Sequence, residues 1–555
     1  MILSVNNIDK TFIDNHVLKD VSFHLNDYDK TALVGINGSG KTTLIRIIMN
    51  ELAPDNGIVT FSKGASVGYL PQNAIIDSDN SIYDEVLLVK KDLLADEITL
   101  RDMESQMGSL GGEELNELME KYHLLQDSFE RNGGYQIQSE VSGTLKGLGF
   151  AEDDFAQKVC TLSGGQKTRV ALAKLLVGSP DLIILDEPTN HLDMSSIVWL
   201  ENYLLNYKGT VLIVSHDRYF LDRVVDHVIE LDNGHMTSFS GNAAKKEILR
   251  VSALNAYLNQ QRDIKHQQEV IEKLRSFNRE KSIKRADSRQ KMLDKVEIID
   301  KPVEIDNKMQ IVLTPRIESG NDVLNVEGLE KSYATLLFSN LGFALRKGDH
   351  VAIIGDNGSG KTTILKILNN LVEADTGVIK FGANVTVGYY DQEHHVLHDN
   401  KTIFEEISDD YPTLTNTEIR NVLAAFLFTD EDVFKKISSL SGGEKGRVSL
   451  AKLMLSEANF LILDEPTNHL DIASKEILED ALNNYTGTVL YVSHDRYFIN
   501  RTAERILDLR DHIFTEYLGN YDYYLEKREQ LTGQANNLSS IAAPANNNKN
   551  EQSAM

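Results

Sequence analysis

Cysteine, basic charge and long apolar runs are all scarce in this chain of 555 residues. Cys160 is the only cysteine, which excludes an intramolecular disulfide and a cysteine-ligated zinc cluster and favours a reducing compartment. No run of about 20 apolar residues is present, and the amino terminus lacks the basic and apolar regions of an export signal. We therefore expect a cytoplasmic protein with no membrane span.

Acidic residues outnumber basic residues by 83 to 57, and the formal net charge is −26. A chain with this balance is repelled by nucleic acid and by anionic membranes unless its positive charge is concentrated locally. With 41% hydrophobic and 25% charged residues, the composition is that of a globular protein. At roughly 150 residues a domain, the length predicts about three or four domains.

A large internal repeat organises the chain. A glycine-rich motif that begins at Gly35 recurs at Gly355, an offset of 320 residues, and Gln72 recurs at Gln392 with the same offset. Motifs from Ser163 onward recur 278 residues later, so the first copy is 42 residues longer between Gln72 and Ser163. The repeat predicts two related domains.

The boundaries follow from the repeat and from changes in composition. The two repeated domains cover 1–242 and 321–530, and the segment 243–320 between them is rich in Lys, Arg, Gln and Glu and mostly free of proline and glycine, which is typical of long helices. We expect this segment to form a helical hairpin. The tail 531–555 is polar and of low complexity, and we expect it to be disordered.

The glycine-rich motif follows a short apolar run and precedes a helical pattern in both copies, which is the context of a P-loop. Its backbone N–H groups can wrap phosphates at the positive end of a helix. Lys41 and Lys361 are predicted to reach the β- and γ-phosphates of ATP, and the threonine after each lysine to ligate Mg²⁺. A single match could be a chance glycine turn, but two in the same context argue strongly against chance. The predicted phosphate-binding residues are Gly35, Asn37, Gly38, Ser39, Gly40, Lys41, Thr42 and Thr43, and Gly355, Asn357, Gly358, Ser359, Gly360, Lys361, Thr362 and Thr363.

Two apolar runs of strand type end in a pair of acids. Asp186 and Asp464 are predicted to hold Mg²⁺, usually through water. Glu187 and Glu465 are predicted to act as general bases on the attacking water. The alternative is a solvated acidic turn after a core strand, which the neighbouring P-loops make the weaker interpretation.

A histidine follows a second apolar run at matched places in the two copies. A single histidine there would more often have a structural role. Because His216 and His494 are duplicated beside two P-loops, we predict that both contact the γ-phosphate.

The sequence Leu-Ser-Gly-Gly followed by Gln or Glu occurs once in each copy. Together with the other motifs, it makes both domains resemble the ATP-binding cassette family. This resemblance implies that the cassettes close head to tail over two ATP molecules, each covered by the signature residues of the opposite cassette. Those residues are Ser163, Gly164 and Gly165 over the nucleotide on Lys361, and Ser441, Gly442 and Gly443 over the nucleotide on Lys41. Glu444 replaces the signature glutamine in the second copy, a small departure from the family pattern.

The same resemblance assigns further site residues. Gln72 and Gln392 are similar to the residues of the family that sense Mg²⁺ and the attacking water. Phe12 and Tyr333 are similar to the aromatic residues that stack on adenine. Ordinary core aromatics are the alternative for the latter two.

Two cassettes on one chain without a membrane segment resemble the ABC-F branch, whose members act on the ribosome. The string Asp-Glu-Pro-Thr-Asn-His-Leu-Asp, present twice, and the charged linker 243–320 carry this resemblance. The extra residues of the first copy match the branch's arm insertion, which we place at 92–134. The implied fold class is α/β, with two P-loop ATP-binding cassette domains joined by a long α-helical hairpin linker.

Positive charge is concentrated in the linker, where eight basic and two acidic residues lie between positions 273 and 291. This concentration predicts salt-dependent contact with RNA phosphates, whereas a solvated helical face would mix both signs more evenly. In the ABC-F branch the linker reaches rRNA and the P-site tRNA. The predicted RNA-binding residues are Lys273, Arg275, Arg279, Lys281, Lys284, Arg285, Arg289 and Lys291.

The resemblance implies an ATP hydrolase that binds the ribosome in an ATP-gated manner, as a monomer whose two cassettes pair with each other. The tip of the linker is short and basic and lacks a long apolar extension, which favours a general translation factor over an antibiotic-resistance factor. The ATPase subunit of a transporter with separate membrane chains, and a function in DNA metabolism, are further alternatives.

Overall fold

The computed structural model describes residues 1–240 and 315–530, except 13–14, 36–37, 73–75, 109, 191, 233, 316, 334, 392–396, 413, 427, 429–430, 469 and 529. The chain divides into two compact units, Met1–Met309 and Gln310–Met555. We call the described parts of these units the first and the second cassette. Nearly all of the predicted linker, all eight predicted RNA-binding residues and the tail 531–555 lie outside the described residues.

Strands and helices alternate along the first cassette. Its strands are β1 Leu3–Phe12, β2 Asn15–Leu25, β3 Lys30–Val34, β4 Asn56–Phe61, β5 Val67–Leu70, β6 Leu182–Asp186, β7 Thr210–Val214, β8 His227–Asp232 and β9 His235–Ser240. Its helices are α1 Lys41–Ile48, α2 Ile82–Leu87, α3 Lys91–Met107, α4 Glu113–Arg131, α5 Ile137–Gly147, α6 Gly164–Gly178, α7 Met194–Asn206 and α8 Arg218–Val224.

The second cassette repeats this order without counterparts of α3 and α4 among its described residues. Its strands are β10 Asp322–Ser332, β11 Leu336–Arg346, β12 His350–Gly355, β13 Thr376–Phe381, β14 Val387–Tyr390, β15 Phe460–Asp464, β16 Thr488–Val492, β17 Arg505–Arg510 and β18 Ile513–Tyr517. Its helices are α9 Lys361–Leu368, α10 Ile403–Asp410, α11 Asn416–Ala425, α12 Gly442–Met454, α13 Ile472–Asn483 and α14 Arg496–Thr502.

Each cassette contains two sheets. The central six-stranded sheets have the orders β5-β6-β7-β3-β8-β9 and β14-β15-β16-β12-β17-β18. Neighbouring strands in them are parallel except for the last pair, β8 with β9 and β17 with β18, which is antiparallel. The smaller antiparallel sheets have the orders β2-β1-β4 and β11-β10-β13. The predicted α/β cassette fold is therefore confirmed for both domains.

The central strands are apolar on both faces because both faces are covered. All five residues of β6 are buried, and alternate residues belong to different cores. Ile183 and Leu185 join the core on the helical side, whereas Leu182 and Ile184 join the core shared with α1 and the small sheet. This two-sided burial explains why the parallel strands read as continuous apolar runs with no polar alternation.

Helices α3 and α4 pair with each other in the segment where the first copy is longer. Along α4 the side chains of Leu115, Leu118, Tyr122 and Leu125 are half-buried and that of Phe129 is buried. The Tyr122 hydroxyl donates to Glu104 across the pair at 2.7 Å. These residues form an apolar stripe along α4 that packs on the neighbouring helices, whereas Met119 is exposed.

Within the described ranges, no helix is both long and apolar enough to cross a bilayer.

Candidate functional site

Three motifs meet at one edge of each central sheet. In the first cassette the P-loop follows β3, the paired acids end β6, and the Ser-His-Asp motif follows β7. Strand β7 pairs in parallel with both β3 and β6, so the carboxyl ends of all three strands lie at the same edge. Strands β12, β15 and β16 repeat this arrangement in the second cassette. Residues as far apart in sequence as Lys41 and His216 are thereby brought to one edge of the sheet.

Both P-loop lysines are buried and point back into their own loop. Lys41 Nζ donates to Gly35 O at 2.7 Å, and Lys361 Nζ donates to Gly355 O at 2.8 Å. Gly40, which precedes α1, has φ 101°, a left-handed backbone conformation that residues with a Cβ rarely adopt. A Cβ at this position would also lie 2.7 Å from a methyl group of Val17. The glycine conformation therefore allows the loop to bring its backbone carbonyl groups close to the lysine ammonium group.

Oxygen atoms without a partner mark where a ligand would bind. Ser39 Oγ, Ser359 Oγ and Asp464 Oδ2 are buried and have no hydrogen-bond partner within the described part of the chain. An unsatisfied buried polar atom costs free energy, so such atoms in a native site point to a missing ligand. Hydroxyl and carboxylate oxygens suit phosphate and hard divalent cations, and the residues present therefore fit a nucleotide with Mg²⁺. The remaining predicted P-loop residues lie in the loops or in the first turns of α1 and α9, and they are Gly38, Thr42, Thr43, Asn357, Gly358, Gly360 and Thr363. Asn37 lies outside the described residues.

The aspartates at the ends of β6 and β15 are almost completely buried. Burial raises the pKa of Asp186 to about 6, against the opposing attraction of Lys41. Burial likewise raises the pKa of Asp464 to about 6, although the Thr362 hydroxyl donates to Asp464 Oδ1 at 3.2 Å. Each carboxylate is thus costly to keep charged until further positive charge is present.

The neighbouring glutamates adopt a backbone conformation that is rare for residues other than glycine. Glu187 has φ 53° and Glu465 has φ 48°, both in the left-handed region. Their backbone N–H groups donate to Val214 O at 2.8 Å and to Val492 O at 2.9 Å on the adjacent strands. Burial raises the pKa of Glu465 to about 7, and Lys361 opposes that rise. Such local strain is characteristic of functional positions and turns the carboxylate toward the next strand.

Each histidine lies beside the glutamate of its cassette. His216 Nε2 is 3.7 Å from Glu187 Oε1, and His494 Nε2 is 3.4 Å from Glu465 Oε1. The backbone N–H of His494 also donates to Glu465 Oε2 at 3.1 Å. The structure therefore brings together the predicted catalytic pairs, although their roles remain predictions.

Sequence reasoning missed a residue that orients the histidine loop. Asp495 accepts from the Phe498 N–H at 3.0 Å, which caps α14, and pairs with Lys475 Nζ at 2.7 Å. Although burial acts to raise it, the pKa of Asp495 is lowered, chiefly by Lys475. The signal was present, because the aspartate repeats with its histidine in both copies.

The signature serines lie at the starts of α6 and α12, the helices that come before β6 and β15 in the chain. Ser163 and Ser441 are the N-cap residues of these helices, and each accepts from the backbone N–H three residues later. Gly164, Gly165, Gly442 and Gly443 form the first turns.

The two predicted adenine-stacking aromatics are solvent-exposed. Phe12 is 44% exposed at the end of β1, and Tyr333 is 62% exposed just beyond β10. These values rule out the alternative that they are core aromatics. Gln72 is exposed two residues after β5, and Gln392 lies outside the described residues.

Comparison with known proteins assigns the family. The family model described as ABC transporter matches residues 18–190 and 338–468, and a second model of that description matches 229–312. The putative ATP-binding protein YdiF of Bacillus subtilis is 46% identical over 96% of this chain and 84% of its own length. ABC transporter F family member 5 of Arabidopsis thaliana is 35% identical over 95% of this chain and 77% of its own length. The chain belongs to the ABC-F family. This ABC-F protein is accordingly an ATPase with two cassettes that bind ATP.

Another relative carries a functional name. The energy-dependent translational throttle protein EttA of Mycobacterium tuberculosis is 34% identical to the ABC-F chain, over 96% of each protein. The relationship thus extends through both cassettes and the segment between them.

Proposed function

We propose that this ABC-F protein is a translation factor that binds the ribosome when ATP closes its two cassettes and leaves it after hydrolysis. The observation that carries the proposal is the full-length relationship to a protein named as a translational throttle. Two complete sets of hydrolytic residues, one at each sheet edge, support an ATP-driven cycle. We infer that the protein works as a monomer in the cytoplasm, where ribosomes are found.

Within each ATP site the lysine and the glutamate have different roles in hydrolysis. The P-loop lysines bind the β- and γ-phosphates, and the γ-phosphate replaces the loop carbonyls as partner of Lys41 and Lys361. Glu187 and Glu465 accept the proton of the water whose oxygen attacks the γ-phosphorus, as the bond to the bridging oxygen breaks and ADP leaves. A glutamate pKa of about 7, as at Glu465, suits a base that works near neutral pH.

Mg²⁺ would be held by Thr42, Gln72 and Asp186 in one site and by Thr362, Gln392 and Asp464 in the other. When bound, it supplies positive charge to the phosphates and to the buried aspartates. His216 and His494 bind the γ-phosphate, and Phe12 and Tyr333 stack on adenine.

Closure places the signature serine of each cassette over the nucleotide of the other, Ser163 over the ATP on Lys361 and Ser441 over the ATP on Lys41. ATP binding then favours the closed state because the nucleotide contacts both cassettes only in that state. The basic residues of the linker, from Lys273 to Lys291, contact rRNA and the P-site tRNA in the closed protein.

Co-sedimentation of a hydrolysis-blocked variant with ribosomes tests the proposal. The Glu187→Gln, Glu465→Gln double variant should stay closed and migrate with intact ribosomes in a sucrose gradient when ATP is present. Adding Arg279→Gln, Lys284→Gln and Arg285→Gln should reduce the bound fraction and make the remaining binding less sensitive to salt, because three phosphate contacts are lost.

The matched control adds Lys41→Ala and Lys361→Ala, which removes the P-loop cations and should abolish co-migration. If the double variant retains ATP but stays at the top of the gradient, the translation proposal fails. A membrane or DNA partner would then become the next hypothesis to examine.

A general function in translation is favoured over drug resistance by the tip of the linker, which is short and basic and lacks a long apolar extension. Overexpression of the chain should therefore leave the inhibitory concentrations of ribosome-targeting antibiotics unchanged. A several-fold increase for one drug class would contradict this part of the proposal.

A further inference from the structure

The two signature serines are bound differently by the residue three positions later. In the second cassette Ser441 Oγ donates to Glu444 Oε2 at 2.7 Å, and the Ser441 N–H donates to the same oxygen at 2.8 Å. In the first cassette the Ser163 hydroxyl and N–H both donate to Gln166 Oε1 at 3.0 Å. The geometry is the same, and only the chemical nature of the acceptor differs.

Both acceptors form the same helix cap. Each serine caps its helix, and each reciprocal side chain completes a capping box with the serine backbone. Glutamine and glutamate therefore form a cap of the same geometry at this position, and the cap with the carboxylate is somewhat the stronger. The two acceptors differ in how readily they release the serine hydroxyl for a hydrogen bond to another group.

A carboxylate holds the hydroxyl proton more strongly than an amide oxygen does. Hydrogen bonds to a charged acceptor are shorter and roughly twice as strong as neutral ones. A hydroxyl has one proton, so Ser441 must leave Glu444 before it can donate to a phosphate. Ser163 has to leave only the neutral oxygen of Gln166.

The Glu444 charge also lies at the start of a helix where phosphate charge would arrive. The first turn of α12 contains Glu444, whereas the first turn of α6 contains no acidic residue. Lys435 interacts electrostatically with Glu444, but its Nζ forms its ion pair with Asp432 at 2.8 Å and therefore does not neutralise the Glu444 carboxylate. A phosphate approaching Ser441 therefore meets a negative charge that a phosphate approaching Ser163 does not.

We propose that Glu444 is a positioning residue that weakens the hold of Ser441 on the ATP bound at Lys41, so that this nucleotide is released faster than the one bound at Lys361. The inference rests on the proposed head-to-tail pairing of the cassettes. It extends that proposal by making the two ATP sites unequal through a single side chain.

Reciprocal exchange of the two acceptors tests the proposal. The full-length chain with Glu187→Gln and Glu465→Gln serves as the parent, and release of labelled ATP with Mg²⁺ is timed with and without ribosomes. Cross-linking with 8-azido-ATP and peptide mapping identify the cassette that retains each nucleotide. We expect Glu444→Gln to slow release from the Lys41 site by about tenfold, and Gln166→Glu to speed release from the Lys361 site by a similar factor.

Several outcomes separate this proposal from the one on which it depends. Because the cap geometry is kept and only its charge is lost, the melting temperature of the Glu444→Gln variant should lie within about 4 °C of that of the parent, and a larger fall would show that Glu444 acts mainly on the fold. If the parent retains two ATP molecules and Glu444→Gln changes neither rate, the inference is overturned while cassette pairing stands. If the parent releases ATP as fast as a Ser163→Ala, Ser441→Ala variant, pairing fails and the inference fails with it.

Discussion

Replacing Asp186 by asparagine is expected to stabilise the nucleotide-free first cassette, and to do so more at neutral than at acidic pH. The carboxyl group is 3% exposed, and burial raises its pKa from the ordinary value of 3.8 to about 6. The folded cassette therefore binds a proton more tightly at this position than the unfolded chain does. Between about pH 4 and pH 6 the folded state is protonated while the unfolded state is ionised, so folding stability falls as the pH rises through this window.

The difference between these two pKa values corresponds to about 3 kcal/mol of free energy of unfolding. The full penalty is present at about pH 7.5 and roughly half of it near pH 5. The asparagine side chain of the Asp186→Asn variant does not titrate, so the variant avoids the pH-dependent penalty and bears only a constant cost of about 1 kcal/mol for burying the amide. The advantage of Asp186→Asn over the natural protein should therefore grow by about 1.5 kcal/mol between pH 5 and pH 7.5.

Because the chain has a single tryptophan, the unfolding of the first cassette can be measured in the full chain. Trp199 lies on α7, packs against the core of the first cassette and is 5.4 Å from the Tyr203 ring. Its fluorescence during urea denaturation thus reports unfolding of that cassette alone. Asp464→Asn is the matched control, because it alters the second cassette and should leave the Trp199 transition in place.

Addition of ATP and Mg²⁺ should reverse the order of stabilities at about pH 7.5, since Asp186 is the residue that would bind the cation. The reasoning is refuted if the difference between Asp186→Asn and the natural protein is the same at both pH values. It is also refuted if the variant gains as much stability from ATP and Mg²⁺ as the natural protein gains.

Two further predictions concern stability. Lys452 Nζ lies 2.7 Å from a carboxylate oxygen of the completely buried Glu406, so Lys452→Met should cost about 3–5 kcal/mol in calorimetry of the full chain. The matched Lys174→Met, at a lysine that is 32% exposed, should cost less than half as much, and equal costs would contradict the argument from burial. A Cβ on Gly147 would lie 2.1 Å from the tryptophan ring, so Gly147→Ala should lower the stability of the first cassette by about 1–3 kcal/mol in urea denaturation. On the same helix a Cβ on Gly143 would meet no other atom, so Gly143→Ala should instead stabilise the first cassette by up to about 1 kcal/mol. If both substitutions destabilise the cassette, the argument from the tryptophan contact is wrong, because helix α5 then tolerates no added methyl group.

Much of the cassette fold could be predicted from sequence because its signals are local. The P-loop at Lys41 is recognisable since a strand, a glycine turn and a helix follow one another within a few residues. The continuous apolar run before Asp186 likewise predicts a strand buried on both faces. Repetition in the second half made each of these interpretations stronger, because chance matches do not recur in the same order.

Other features of the site depend on contacts between distant segments and had no local signal. The left-handed backbone of Glu187 and Glu465 is held by hydrogen bonds to the next strand of the sheet, which sequence cannot show. Whether Phe12 and Tyr333 were core aromatics or exposed ones depended on how much of each ring neighbouring segments cover.

The amino-acid sequence alone therefore indicated the family, the two nucleotide-binding cassettes and the residues predicted to bind and hydrolyse ATP, because each motif is a short string whose chemistry depends on its own residues. Other features arise only on folding, namely the strained backbone of the two glutamates, the raised pKa values of Asp186 and Asp464 and the hydrogen-bond partners of Ser163 and Ser441. Burial, electrostatic potential and hydrogen-bond geometry are sums over atoms from the whole cassette, and those atoms become neighbours only when the chain has folded.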